Sequence, residues 1–145
     1  MSQDRTAVAG PDEMSDRDIG DADEPVEERP AVDETVIEQL ATITDGQGFS
    51  VLGELLNAFL AAVPGRLETL DRAASSGDLV AVSDQAHALT GSAASFGAVG
   101  MADLCRQLRV AAQAGDHAST LRLVGALHAE FLRVRAWLVT FRDRT

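Results

Sequence analysis

One histidine, His87, lies in a run of mostly small residues, HALTGSAASFGA, that spans residues 87–98. A neutral imidazole offers a nucleophilic nitrogen near neutral pH, and the same ring serves as a leaving group when the transferred group departs. Gly91, one helical turn after His87, removes the side chain that would stand beside the ring. These residues predict a docking surface with one projecting nucleophile rather than an enclosed catalytic pocket.

The apolar residues around His87 predict a helix that buries the opposite face. Five of them are spaced by three or four positions: Val82, Ala86, Leu89, Ala93 and Phe96. At about 100° per residue they share one face, from which His87 lies roughly 140° away and Gly91 about 180°. We therefore expect His87 to point toward solvent. Because glycine inside a helix costs about 1 kcal/mol relative to alanine, Gly91 indicates that a partner's backbone comes close to the ring.

The other candidates for chemistry have simpler interpretations. His117 and His128 are predicted to be structural or solvated, and nothing in the spacing gathers the histidines, so we expect no metal site. Asp84, one turn before the run, either orients the imidazole or is a solvated surface charge. Ser92 has no identifiable base or oxyanion device, which leaves a serine hydrolase unsupported.

The composition excludes several classes of function. The formal net charge of −11 disfavours binding to nucleic acid or to an anionic membrane surface. The one cysteine, Cys105, forms no internal disulfide, and we expect a buried thiol in a protein of the reducing cytoplasm. No stretch has the apolar length of a signal-peptide core or of a spanning helix. All 12 cations are arginine, which excludes Schiff-base lysine chemistry and a lysine-bearing phosphate loop.

The negative charge is concentrated near the N-terminus. Residues 1–34 hold twelve of the 23 acidic residues, three of the 12 arginines and three of the four prolines. With few large apolar side chains, this segment cannot bury enough surface to offset the entropy lost on ordering. We predict a disordered acidic arm over residues 1–33 and a helical domain over residues 34–145. The arm is either a solvating tail or a segment that regulates or screens partners.

Glycine, aspartate and proline predict the helix boundaries. The pairs Gly77-Asp78 and Gly115-Asp116 each end one helix with a glycine cap and start the next with an aspartate cap. Pro64 lies inside a long apolar pattern and predicts a kink or a break between two helices.

The first and last segments are also helical in pattern. Thr35 and Glu38 have the spacing of a capping box, which predicts the start of a short first helix. The last segment carries a seam of heptad type: Val124, Leu127, Phe131, Val134, Leu138 and Phe141. No stretch alternates apolar and polar residues long enough to predict a strand. We predict an all-α fold, an up-and-down four-helix bundle with an additional short N-terminal helix.

The run of residues 87–98 resembles the signature of histidine-containing phosphotransfer (HPt) domains. The shared features are the histidine, a leucine two residues later, Gly91-Ser92, and an apolar residue followed by glycine at Phe96-Gly97. The resemblance covers about residues 35–143. It implies a phosphorelay intermediate in which His87 accepts a phosphoryl group from the phospho-aspartate of a receiver domain and passes it to another. It also implies a phosphoryl carrier without autokinase activity, with response-regulator receiver domains or a hybrid histidine kinase as partners.

The resemblance further implies a monomer without a cofactor, because the receiver domain would bring the Mg²⁺ and the acidic pocket. The sequence departs from the family at Thr90, where a lysine is usual beside the phosphohistidine. Arg106 and Arg109 on the following helix are candidates to replace that charge. An alternative function therefore stays open, a non-catalytic helical adaptor that binds receiver or kinase domains without phosphotransfer. The predicted site consists of the phosphoacceptor His87, supported by Asp84, Thr90, Gly91, Ser92 and Ala94.

Overall fold

The structure, a computed structural model, describes residues 29–43 and 49–144, and this part of the chain contains helices and no strand. The helices are α1 (Glu34–Ile43), α2 (Phe49–Ser76), α3 (Leu79–Ser95), α4 (Val99–Gln113) and α5 (His117–Arg144). None of these helices is long and apolar enough to cross a bilayer. Residues 1–28, most of the predicted acidic arm, lie outside the described residues. The predicted disorder and the predicted boundary at residue 33 therefore stay predictions.

Helices α2 to α5 form the predicted bundle. α3 packs against both α2 and α4, and α5 also contacts α2 and α4, which closes the bundle. α1 makes a smaller contact with α2. The seam predicted along α5 is buried at every position: Val124, Leu127, Phe131, Val134, Leu138 and Phe141. The all-α bundle with an additional N-terminal helix is confirmed.

The two Gly-Asp pairs end and start helices as predicted. Gly77 and Gly115 have φ angles of +78° and +75°, in the left-handed region that side chains disfavour. The carboxylate of Asp78 accepts a hydrogen bond from a backbone N–H in the first turn of α3. The carboxylate of Asp116 does the same for the N–H of Ser119 at 3.0 Å. Hydrogen bonds from Ser119 hold the pKa of Asp116 below its ordinary value.

The start of α1 differs from the prediction. The carboxylate of Asp33 accepts a hydrogen bond from the backbone N–H of Thr35 at 3.0 Å, so Asp33 caps the helix. The predicted capping box from Thr35 to Glu38 is wrong, since the cap lies two residues earlier. Ala31 and Val32 are buried just before the helix, and their packing places Asp33 at its first turn.

Pro64 does not divide α2. One helix runs through it from Phe49 to Ser76, so the predicted alternative of a break is wrong. A proline inside a helix costs about 3 kcal/mol through its lost hydrogen bond and the clash of its ring. Phe59, Val63 and Leu67 are buried on both sides of it, and their packing offsets that cost.

Candidate functional site

The rotation of α3 about its axis is fixed by its buried face. Four residues on that face have no solvent exposure: Val82, Ala86, Leu89 and Ala93. Phe96 is half-buried, and its ring centroid lies 4.8 Å from that of Phe59 on α2. His87 projects from the opposite face and is exposed. The predicted orientation of the histidine is confirmed.

No described residue forms a hydrogen bond or ion pair with the His87 ring. Asp84 is exposed one turn away and, within the described part of the chain, has no bond to the imidazole. Of the two interpretations of Asp84, the geometry favours the solvated charge. Both ring nitrogens are accordingly open to another molecule.

The surface beside His87 is low and has room for a partner. A Cβ added to Gly91 would meet no atom within 4 Å, so nothing inside the described fold requires glycine there. Ala94 is exposed on the same face. The hydroxyls of Ser92 and Ser95 donate to carbonyls one turn back in α3, at 3.4 and 2.9 Å. Both serines therefore direct their protons to the helix backbone instead of toward the ring.

Thr90 is half-buried, and its hydroxyl is also engaged with the helix. The Oγ1 of Thr90 donates to the carbonyl oxygen of Ala86 at 2.8 Å. A phosphoryl group on His87 would therefore meet a side chain that has already used its one proton and carries no charge. α3 contains no Lys or Arg, so any positive charge near His87 would come from another helix.

A groove between α2 and α3 borders this surface. Its walls include Leu55 and Ala62 of α2 and Ser92 of α3, and Arg66 is the cation among its lining residues. The Nη1 of Arg66 donates to the side-chain oxygen of Gln85 at 3.4 Å. No local pattern in the sequence singles out Arg66, because its place beside α3 depends on the register of two packed helices.

The two arginines of α4 differ in their partners. Arg106 forms an ion pair with Asp103 at 3.2 Å, with both side chains about half exposed. Arg109 is partly buried, and its Nε atom is shielded from solvent without an acceptor among the described residues. Both arginines are sequence-based candidates to replace the missing lysine, and the structure distinguishes them by these contacts.

The other histidines lie apart from His87. The Nε2 of His128 on α5 lies 2.8 Å from a carboxylate oxygen of Asp71 on α2, a side-chain contact between the two helices. His117 is exposed at the start of α5. Within the described ranges no three metal-ligating side chains converge.

Cys105 is buried in the core of the bundle, as predicted. Burial raises the pKa of its thiol from an ordinary value near 9 to about 12, and the charge of Arg106 lowers it to a smaller extent. The thiolate is the nucleophilic form of cysteine, so burial makes this thiol less reactive than an exposed one.

Comparisons with known proteins agree with the geometry. The family model of the Hpt domain matches residues 54–137, more than half of the chain and the part that contains His87. A similar solved structure is histidine-containing phosphotransfer protein B (HptB) from Pseudomonas aeruginosa PAO1, with 28% sequence identity and a TM-score of 0.74. The similarity covers 80% of this chain and 97% of that chain. A search of curated proteins found no match. The resemblance seen in the sequence is confirmed, and the chain belongs to the Hpt domain family.

Proposed function

We propose that this protein is a phosphorelay intermediate that carries a phosphoryl group on His87. The observation that supports this most directly is the exposed, unbonded imidazole of His87 in the middle of α3, beside the open space at Gly91. Membership of the Hpt family supports a phosphoryl carrier in two-component signalling rather than a catalyst of its own. The donor and the acceptor are receiver domains of response regulators, and a hybrid histidine kinase can contribute either one.

The transfer needs one nucleophilic nitrogen from this chain. The unprotonated ring nitrogen of His87 attacks the phosphorus of the receiver's phospho-aspartate. The N–P bond forms as the bond from phosphorus to the aspartyl oxygen breaks, and the electron pair leaves with the receiver's carboxylate. The reverse reaction passes the group to a second receiver, with the imidazole as leaving group. Mg²⁺ bound in the receiver supplies charge neutralisation, so this chain contributes position and nucleophilicity.

The small side chains around His87 support a protein partner rather than a small substrate. A receiver must bring its acidic pocket over the ring, and a bulky neighbour at position 91 would block that approach. The apolar groove between α2 and α3 is lined by Ser92 and Ser95 of the helix that carries His87, and it offers contact area of the kind found at transient interfaces. We propose a monomer that acts in the cytoplasm without a bound cofactor.

Phosphotransfer from labelled receiver domains tests this proposal. Each receiver of the source organism is phosphorylated with ³²P and mixed with the full chain. We expect label that is stable to base and labile to acid, as expected of a phosphohistidine. His87→Gln should abolish the label, whereas the matched variant His117→Gln, which changes another exposed histidine, should retain it. Label that survives in His87→Gln would show that the acceptor is a different residue.

The alternative is an adaptor that binds receivers or kinases without taking phosphate. The observation that favours it is Thr90, whose hydroxyl proton is bonded to Ala86 where the family usually has a lysine. An adaptor would bind the same receivers equally well with or without His87→Gln and would carry no label during turnover. Measuring receiver affinity and label in the same samples separates the two functions.

A further inference from the structure

We propose that Arg109 is the cation that binds the phosphoryl group on His87, in the place of the lysine that Thr90 replaces. This inference rests on the proposed phosphorylation of His87. It assigns a specific role to a residue on a neighbouring helix, and it follows from the packing of α3 against α4.

The register of α3 and α4 places Arg109 level with His87. The side-chain amide of Gln113 on α4 donates to the Oγ of Ser83 on α3 at 3.4 Å. The two helices are joined by a short turn and run in opposite directions. His87 follows Ser83 by four residues on α3, and Arg109 precedes Gln113 by four residues on α4. In an antiparallel pair both steps move about 6 Å in the same direction, so the two residues face the same level of the bundle.

His87 also leans toward α4 and away from α2. Ser83 marks the side of α3 that faces α4, and Gln85, which bonds Arg66, marks the side that faces α2. At about 100° per residue, His87 lies roughly 40° from Ser83 and roughly 160° from Gln85 around the helix. A phosphoryl group on the ring is therefore closer to cations of α4 than to Arg66.

Arg109 has the unmet hydrogen-bonding capacity that such a group would fill. Its neighbours on the helix, Cys105 and Ala112, are buried, so the stem of Arg109 follows the packed side of α4. The Nε atom is shielded from solvent and finds no acceptor among the described residues. Buried donors in folded proteins nearly always have a partner, and leaving one unpaired is costly. Phosphoryl oxygens on His87 would provide a charged acceptor, which arginine binds strongly.

Arg106 is not equivalent to Arg109. It bonds Asp103 on its own helix and also lines a groove between α4 and α5 together with Arg122. These contacts are with residues of α4 and α5, and none of them is with α3. The remaining charge near the ring on α3 itself is Asp84, which opposes a phosphoryl group and increases the need for a cation.

Phosphorus NMR of the phosphorylated full chain tests this role without a receiver. Phosphoramidate is the donor: its P–N bond breaks, ammonia leaves, and a new N–P bond forms on the imidazole. The resonance of His87 is the one that His87→Gln lacks. Because a nearby cation favours the dianion, we expect Arg109→Gln to raise the second pKa of this phosphoryl group by a few tenths of a unit to about one unit. Arg106→Gln removes the same charge from the same helix and should leave the second pKa of the phosphoryl group unchanged. Arg109→Lys retains the positive charge and should keep this pKa as low as in the wild type.

A second measurement needs no variant. The Nε–H resonance of Arg109 should move on phosphorylation of the wild-type chain, while that of Arg106 should not. An unmoved Arg109 resonance, or a phosphoryl pKa that is equal in wild type and Arg109→Gln, would overturn the proposal and leave the relay intact. Failure of transfer from receivers, with both NMR results as expected, would instead count against the relay and support the Arg109 contact. If neither phosphoramidate nor a phosphorylated receiver produced a phosphoryl resonance from His87, both proposals would be wrong.

Discussion

The backbone N–H of Asp33 donates to the carbonyl oxygen of Gly97 at 2.8 Å, which fastens the segment before α1 to the turn that follows α3. A Cβ at Gly97 would lie 2.9 Å from the carbonyl oxygen of Asp33 and 3.0 Å from the Cβ of Val36. Gly97 also has a φ angle of +73°. Position 97 therefore excludes a side chain for two independent reasons, backbone conformation and close approach.

Gly97→Ala should destabilise the domain by about 2–4 kcal/mol, because strain at positive φ adds to the contact with Asp33. Gly115→Ala is the matched control, since its φ is +75° and nothing lies within 4 Å of an added Cβ. It should cost about 1 kcal/mol from conformation alone. Urea denaturation measures both free energies of unfolding. Equal losses in the two variants would show that the contact with the α1 segment contributes nothing.

Substitution of Gly91 should separate stability from function. Gly91→Ala should raise the free energy of unfolding by about 0.5–1 kcal/mol, because alanine favours a helix and its Cβ meets nothing. Gly91→Gln should fold as well but slow phosphotransfer from a receiver, because the longer side chain occupies the approach to His87. Gly125 in α5 also has an open Cβ position, so Gly125→Ala and Gly125→Gln are the controls. Wild-type transfer rates in Gly91→Gln would refute the approach argument.

Cys105 should control the alkaline stability of the domain. Its pKa is about 12 in the folded chain, whereas an exposed thiol in the unfolded chain ionises near 9. The unfolded state therefore loses a proton that the folded state keeps. The resulting stabilisation is complete below pH 9 and is lost as the pH rises toward 12. The sequence has no tyrosine and no lysine, so no other side chain titrates in this window. Denaturation between pH 8 and 11 should show a downward slope, and Cys105→Ala should flatten it. A slope that persists in Cys105→Ala would contradict the assignment.

The pair of His128 and Asp71 should contribute little to stability. Their side chains are 43% and 47% exposed, and pairs of this kind are screened by solvent. We expect His128→Gln to change the free energy of unfolding by less than about 1 kcal/mol and to leave phosphorylation of His87 intact. A loss above about 2 kcal/mol, measured by urea denaturation, would indicate that this pair anchors α2 to α5.

Local patterns predicted most of the fold. The stripe from Val82 to Phe96 fixed which face of α3 is buried, and so the exposure of His87. The Gly-Asp pairs predicted two turns, since few other residues suit a left-handed cap followed by a helix start. The predicted break at Pro64 is wrong because the cost of the proline is local, whereas the burial of α2 around it depends on the whole bundle. At the start of α1, Asp33 and Thr35 are both good caps, and only the packing of the preceding residues decides between them.

The sequence could not place the cation of the site. Arg106 and Arg109 are three residues apart on α4 and carry the same charge, so charge alone does not show which of them lies near His87. The register of α4 against α3 depends on the turn at Gly97 and on side chains packed across the seam, which no single segment encodes. The ion pair of Arg106 with Asp103 is a local contact three residues apart on α4, whereas the unpaired Nε of Arg109 appears only once the helices are assembled.

The packing of the helix that carries His87 determines how phosphorylation would change this protein. α3 is one continuous helix whose buried face has no solvent exposure, so a shift of its backbone would disrupt the packing of the core. Adding about two negative charges to an exposed ring on such a helix alters the electric field at the surface and leaves the backbone where it was. The phosphorylated and unphosphorylated domains would therefore differ in one covalent bond and its charge, and not in conformation. Under the proposed function, donor and acceptor would contact the same surface in turn, and the direction of transfer would depend on which receiver holds its phosphoryl group less tightly.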